Sequence, residues 1–212
     1  MLVTLFTIIG MSCAGSCAGF GIDVDRTRPG LSCSVGDTIA DWSVYRNDEY
    51  RFQIKYPSTF NRADVANTLV AQGAVVTFVP AYAPSVNEAG DRTNLISLSV
   101  TIGVSDPAGA LEQEIESGAP DDRANTGCGF YPRFVRSHRS EGAVGNRYET
   151  VVFATRVAGE RYEIILFVHS ANPGCYPVGT ITIFDAAEVV QLFETMVRSF
   201  SPSADGAFRL VE

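Results

Sequence analysis

Residues 41–60 are DWSVYRNDEYRFQIKYPSTF, and apolar side chains alternate with polar ones from position 50 to position 56. A period of two is typical of a β-strand with one face in the core and one in water. Pro57 ends this strand, because proline cannot donate to a ladder of hydrogen bonds. Asn47-Asp48 separates it from a shorter segment, Val44-Tyr45-Arg46, which can serve as its hairpin partner. We therefore predict a β-hairpin at the start of a folded domain.

Strand patterns dominate the rest of the chain. Ala158-Gly159 lies between two apolar segments and supplies a glycine for a hairpin turn, in which one residue adopts a positive φ. The segment 134–140 is expected to pair with the first strand of that hairpin across residues 142–146. The predicted strands beyond the first hairpin are residues 75–79, 96–104, 134–140, 148–157, 161–169 and 180–184.

Two segments predict helices. Asp106-Pro107 is a capping residue followed by proline at the first helical position, and Gly118 ends that helix. Asp185 with Glu188 resembles a capping box. Apolar residues then recur at helical period up to Phe200, and Ser201-Pro202 ends the pattern. No alternation of strand and helix is present, so the sequence predicts an α+β fold with an antiparallel sheet.

The stretch 41–60 and the closing FETMVRSFSP, residues 193–202, resemble the first hairpin and last helix of PsbP-like domains. The resemblance implies an antiparallel β-sheet sandwiched between helices over residues 41–202, an α/β/α sandwich. That family includes a photosystem II subunit, a Ran-binding import factor and bacterial lipoproteins, so the fold implies no single activity. No metal-binding or partner-binding motif of the family matches this sequence, and the resemblance carries over no site residue.

The first 22 residues contain no charged side chain, and residues 2–11 form an apolar run followed by small residues. This layout is typical of a secretion leader, although no Lys or Arg precedes the run, and a buried strand or helix is the alternative. We predict a leader at residues 1–20, a flexible tether at 21–40, and a tail at 203–212. Ser12-Cys13 and Ser16-Cys17 both resemble the lipidation site of bacterial lipoproteins. Lipidation of Cys13 would leave an even number of cysteines, which favours it over Cys17.

Cys128 and Cys175 lie in Gly- and Pro-rich turn segments at opposite ends of the predicted strands 134–169. An exported location would keep a disulfide between them oxidised. The bond requires one flanking segment to fold back across the end of the sheet, which the glycines and prolines permit. Two separate buried thiols are the alternative. The role of Cys33 stays open.

The net charge is −8, whereas a general nucleic-acid binder needs a basic surface. We expect no nucleic-acid partner, contact with the membrane only through the N-terminal anchor, and a monomer. One local basic cluster comprises Arg133, Arg136, His138 and Arg139, and is a candidate surface for an anionic polymer or head group. The alternative is that these charges protect an exposed strand from aggregation.

Motifs of serine hydrolases, P-loop proteins, zinc proteases and EF-hands are absent from the sequence. His169 is expected to be a hydrogen-bonded residue at a strand end rather than a catalytic base. We therefore predict no cofactor, no metal and no catalytic residue. The expected function is a non-catalytic accessory or binding module displayed at the cell envelope, for an unidentified protein or envelope component. The alternative is a hydrolase or metal-dependent enzyme with scattered site residues.

Attachment through a lipidated cysteine can be tested by replacing Cys13 and Cys17 singly with alanine. The multiple acyl chains of a lipoprotein hold it stably in a membrane, so loss of the modified cysteine should release the protein. We expect Cys13→Ala to leave the membrane fraction of the producing cells. Retention of both variants in the membrane, as for the wild type, would contradict lipid anchoring.

Overall fold

The computed structural model describes residues 39–63, 73–81, 92–105, 134–143 and 145–203. These ranges contain one α-helix, α1 (Ala186–Ser199), and a short 3-10 helix, Pro173–Cys175. The strands in the same ranges are β1 Ser43–Asn47, β2 Phe52–Tyr56, β3 Phe60–Ala63, β4 Ala74–Pro80, β5 Leu95–Ser105, β6 Val135–Ala143, β7 Asn146–Val157, β8 Glu160–Ala171 and β9 Ser201–Pro202.

The strands form two antiparallel sheets. A three-stranded sheet has the order β1-β2-β9, and a six-stranded sheet has the order β3-β4-β5-β8-β7-β6. β6, β7 and β8 follow one another along the chain and pair in the same order in the larger sheet. The pairing of β8 with β5 then joins these three strands to the first half of the sheet.

We call one side of the six-stranded sheet the inner face. Every second residue of a strand points to this face, and many of these residues are apolar. One row of paired residues across β4, β5, β8 and β7 consists of Phe78, Val100, Leu166 and Val151. Helix α1 and the three-stranded sheet both pack on this face. Phe193 of α1 meets Phe153 of β7 with ring centroids 5.5 Å apart.

The three-stranded sheet is fixed to the larger sheet through aromatic contacts. Tyr56 stacks on Phe78 with ring centroids 4.5 Å apart, and Phe52 contacts Tyr162 edge-on at 6.1 Å. The Tyr162 hydroxyl donates to the backbone oxygen of Tyr50 over 3.0 Å. Aromatic pairs of this geometry contribute beyond the area that they bury, so the first hairpin is part of the core.

The prediction of helix α1 is confirmed. The Asp185 side chain accepts hydrogen bonds from the backbone nitrogens of Ala187 and Glu188, which caps the first turn. Glu194 and Arg198 form an ion pair one turn apart on the helix. The residues of the helix and its C-cap that are buried against the sheet are Val190, Phe193, Met196, Val197 and Phe200.

The predicted α+β class and the strands at 44–56, 75–79, 96–104, 134–140, 148–157 and 161–169 are confirmed. The predicted strand at 180–184 is wrong. Only Thr182 pairs there, in a single parallel bridge with Thr93. The Asn94 side chain satisfies the backbone nitrogen of Phe184, and a turn from Pro177 satisfies that of Thr180.

Two short strands, β3 and β9, were not predicted from the sequence, because neither contains enough residues to display an alternating pattern. The predicted helix at 106–118 lies outside the described residues. A sheet with helices on both sides is therefore not confirmed, since the one α-helix described, α1, packs only on the inner face. The predicted leader and most of the tether and tail also fall outside the ranges that the structure describes.

Truncation of Phe193 should test whether α1 and the inner face form one cooperative core. The side chain is fully buried, and loss of a buried phenylalanine ring costs about 3–5 kcal/mol of folding free energy. We expect Phe193→Ala to lower the free energy of unfolding by this amount in a urea titration. Gln191→Ala, at an exposed position of the same helix, is the control and should change stability by no more than about 0.5 kcal/mol. A loss for Phe193→Ala no larger than that of the control would contradict the packing described.

Candidate binding surface

The alternation of β6 separates the side chains of the predicted basic cluster. Arg136 and His138 lie on the inner side, in register with Phe153 and Val151 of β7, whereas Arg139 lies on the opposite, outer side. Arg133 is outside the described residues. Arg136 and His138 are therefore on the face opposite to that of Arg139, because successive side chains along a strand point to opposite faces.

On the inner side, the buried carboxylate of Glu149 is contacted by three polar side chains of β6 and β7. Glu149 of β7 is 2% exposed, and His138 Nε2 donates to its Oε2 over 2.7 Å. Ser140 Oγ donates to Oε1 over 2.9 Å, and the Arg147 guanidinium contacts the same oxygen. We call His138, Ser140, Arg147 and Glu149 the Glu149 cluster. Its members satisfy a charge that would otherwise be costly to bury.

The arrangement of the Glu149 cluster differs from that of a nucleophilic catalytic site. In a Ser-His-acid site the hydroxyl bonds to the imidazole, which takes its proton. Here Ser140 and the His138 Nε2 both donate to the carboxylate instead. The cluster consequently ties β6 to β7 rather than activating a hydroxyl group.

On the outer side, the register places two rows of side chains across three strands. Arg139, Thr150 and Phe167 form the first row, and Glu141, Tyr148 and His169 form the second. Thr150 is small and is surrounded by larger side chains, which leaves a recess above it. We call this recess the outer groove. Its volume is about 350 Å³, and it is lined by Arg139, Glu141, Tyr148, Thr150 and Phe167.

The side chains around the outer groove are held in place by one another. The Tyr148 ring stacks on His169 with centroids 4.5 Å apart, and on Phe167 at 6.3 Å. His169 Nε2 donates to Asn146 Oδ1 over 2.9 Å. At the rim, Arg139 and Glu141 form an ion pair with an Nη2–Oε1 distance of 2.5 Å, and they are 70% and 55% exposed. The groove thus combines fixed aromatic walls with a solvated pair of opposite charges.

The prediction that His169 is a hydrogen-bonded strand-end residue is confirmed, since it lies two residues before the end of β8 and bonds to Asn146. Burial lowers the pKa of His169 below its usual value.

The loop that follows β8 lies beside the turn between β6 and β7. The backbone nitrogen of Asn172 donates to the Gly145 oxygen over 2.8 Å. Residues 172–184 contain no charged side chain, and three of their apolar side chains, Tyr176, Val178 and Ile183, are exposed. Cys175, one of the predicted disulfide cysteines, is half-buried in the 3-10 helix of this loop. Its predicted partner Cys128, like Cys13 and Cys17, lies outside the described residues.

Within the ranges that the structure describes, no three His, Cys, Asp or Glu side chains are grouped so that they could hold a metal ion. In the same ranges, no helix has both the length and the apolar character needed to cross a membrane.

Comparison with known proteins gives similarity only among solved structures. No family model matches the chain, and no curated protein matches it. A protein of Bacteroides thetaiotaomicron is similar over 79% of this chain with 14% identity and a TM-score of 0.45, and this chain spans half the length of that protein. The cyanobacterial PsbP of Synechocystis is similar over 82% of this chain and 98% of its own, with 16% identity and a TM-score of 0.36.

The resemblance to PsbP predicted from the sequence is confirmed, in that a PsbP is among the structures to which this chain is similar. The Ran-binding protein Mog1p of Saccharomyces cerevisiae is similar over 76% of this chain and 95% of its own, with 12% identity and a TM-score of 0.40. At these scores and identities the matches carry no inference about function.

The lowered pKa of His169 predicts a dependence of stability on pH. As the pH falls through about 6.5, the unfolded chain takes up a proton on this imidazole before the folded chain does, so the free energy of unfolding decreases. His169→Phe keeps a ring against Tyr148 but cannot take up that proton. We expect the melting temperature of the variant to fall less than that of the wild type between about pH 7.5 and pH 5.

Val178→Ala, at an exposed position of the neighbouring loop, is the control and should keep the pH dependence of the wild type. An equal difference in melting temperature between His169→Phe and the wild type at both pH values would contradict the assignment.

Proposed function

We propose that this chain is a non-catalytic binding module, exported and held at the cell envelope through its N-terminal segment, that binds a partner protein at the outer groove. The outer groove is the observation that carries this proposal. Export and anchoring rest on the uncharged N-terminal run and on Cys13 and Cys17 in the sequence.

The composition of the outer groove is that of a protein-binding surface. Aromatic and arginine side chains are enriched at the centres of interfaces, where they contribute most of the binding free energy. Tyr148, Phe167 and Arg139 supply these side chains within one recess. Stacking on His169 keeps the Tyr148 ring in one orientation before a partner arrives, which reduces the conformational entropy lost on binding.

The charges at the groove favour an uncharged or mixed segment of a partner over a strongly anionic one. Arg139 is already neutralised by Glu141, and the inner position of His138 removes it from this surface. A solvated ion pair contributes little to folding, so its two members can exchange partners with a bound protein at small cost.

A hydrolase or a metal-dependent enzyme is the alternative. The Glu149 cluster is the arrangement in the described residues that comes nearest to catalytic chemistry. Its serine donates to the carboxylate rather than to the histidine, and this geometry favours the non-catalytic function.

Site-specific photo-crosslinking in the producing cells tests the proposal. A photoreactive amino acid at Thr150, at the base of the groove, should capture a discrete partner band. The same amino acid at Val44, an exposed position of β1, should not capture that band. Removing one aromatic wall by Tyr148→Ala should reduce the band from the Thr150 probe about tenfold or more, the loss typical of an interface hot spot.

Tyr176→Ala is the matched control, because it removes an exposed tyrosine from the loop after β8, outside the groove. Its crosslinking should equal that of the wild type. Capture at Val44 as strong as that at Thr150, or a band from the Thr150 probe that is insensitive to Tyr148→Ala, would contradict binding at the outer groove.

A further inference from the structure

Among the residues that the structure describes, β6 is an edge strand of the six-stranded sheet, and it has few of the features that prevent edge-to-edge pairing. Natural edge strands are kept apart by short length, proline, bulges or charge. β6 is nine residues long, contains no proline, and pairs with β7 without a shift in register from Val135↔Ala154 to Ala143↔Asn146. Within the described part of the chain, charge is the feature of this kind that β6 presents, so the pattern of its charged side chains determines which strand can pair with this edge.

The backbone groups that point away from β7 can be assigned from the turn. Ala158-Gly159 forms a two-residue turn, so the flanking pair Val157↔Glu160 is hydrogen-bonded and the odd-numbered positions of β7 bond to β8. The even-numbered positions of β7, which are paired with odd-numbered positions of β6, bond to β6. Odd-numbered positions of β6 therefore bond to β7. His138, Ser140 and Gly142 direct their backbone N–H and C=O groups outward.

We propose that β6 pairs antiparallel with β6 of a second copy of this chain, about a two-fold axis at Ser140. This register opposes Arg139 to Glu141 of the second copy, and Glu141 to Arg139 of the second copy. It also joins outward-directed positions to one another, His138 to Gly142 of the second copy, as an antiparallel ladder requires.

The charge pattern selects this register over its neighbours. A shift of the axis to Arg139 would oppose the two Arg139 side chains, and a shift to Glu141 would oppose the two Glu141 side chains. Opposite charges that face each other across strands attract, and like charges repel. Arg139 and Glu141 are both exposed on the outer side of β6, so they are available to a second copy.

The pairing joins two six-stranded sheets edge to edge and places the two outer grooves on either side of the axis. Two grooves in one assembly would bind a repeated or dimeric partner more tightly than one groove does. Pairing along a single strand buries less surface than a standard interface, so the dimer is weak and depends on concentration. This differs from the monomer expected from the sequence.

Exchange of the two charges tests the register. The full chain, solubilised in the same detergent for all variants, is followed by sedimentation equilibrium over a wide concentration range. We expect a reversible dimer for the wild type. Arg139→Glu and Glu141→Arg each place like charges opposite one another at both symmetric positions and should weaken the dimer roughly tenfold or more. The double variant R139E/E141R restores both opposed pairs and should regain the dimer.

Glu49→Arg, in the turn between β1 and β2, changes the net charge as Glu141→Arg does and should leave the dimer unchanged. Amide exchange provides a second readout, in which the N–H groups of His138, Ser140 and Gly142 become protected as concentration rises. A wild type that is monomeric at every concentration overturns the proposal. So does a folded double variant that does not regain the dimer, or a dimer that forms without protection of these amides.

Discussion

The pairing of β5 with β8 is the interaction on which the rest of the structure depends. The two strands lie at the centre of the six-stranded sheet and stay in register from Ser97↔His169 to Ser105↔Arg161. A shift of one residue would move each side chain of a strand to the other face. The register that directs Leu166 into the core therefore also directs Phe167 and His169 outward. One constraint thus determines both the packing under α1 and the composition of the outer groove.

The pairings of β8 with β7 and of β7 with β6 fix the positions of the remaining strands on this side of the sheet. Ala158 and Gly159 both have positive φ, 53° and 91°, as a two-residue turn between twisted strands requires. The conformation is easy for Gly159 and unfavourable for Ala158. The twelve residue pairs of β7 and β8, from Asn146↔Ala171 to Val157↔Glu160, offset the strain at Ala158, because their register depends on this turn. The pairing of β6 with β7 then places Arg139 directly opposite Thr150.

Local patterns in the sequence were sufficient to predict most of the described elements, because alternation and helical period are properties of short segments. The groove could not be predicted in this way. Arg139, Thr150 and Phe167 are brought together by cross-strand register, to which no short motif corresponds. Arg136 and Arg139 of the predicted basic cluster lie on opposite faces of the sheet for the related reason that they are three positions apart along one strand. A signal for Glu149 was present, since it is a charged residue in phase with the apolar Val151 and Phe153 of the same predicted strand.

The two sides of the β6 corner use the same types of charged residue for different purposes. Glu149 is 2% exposed and accepts from His138, Ser140 and Arg147, and breaking a buried pair leaves a charge that the core cannot solvate. These groups are therefore committed to the fold. Arg139 and Glu141 remain largely in water, where an ion pair adds little to stability, so their contacts can be replaced by those of a bound protein. A surface for binding needs groups that are not already required for folding, and within this corner the outer side provides them.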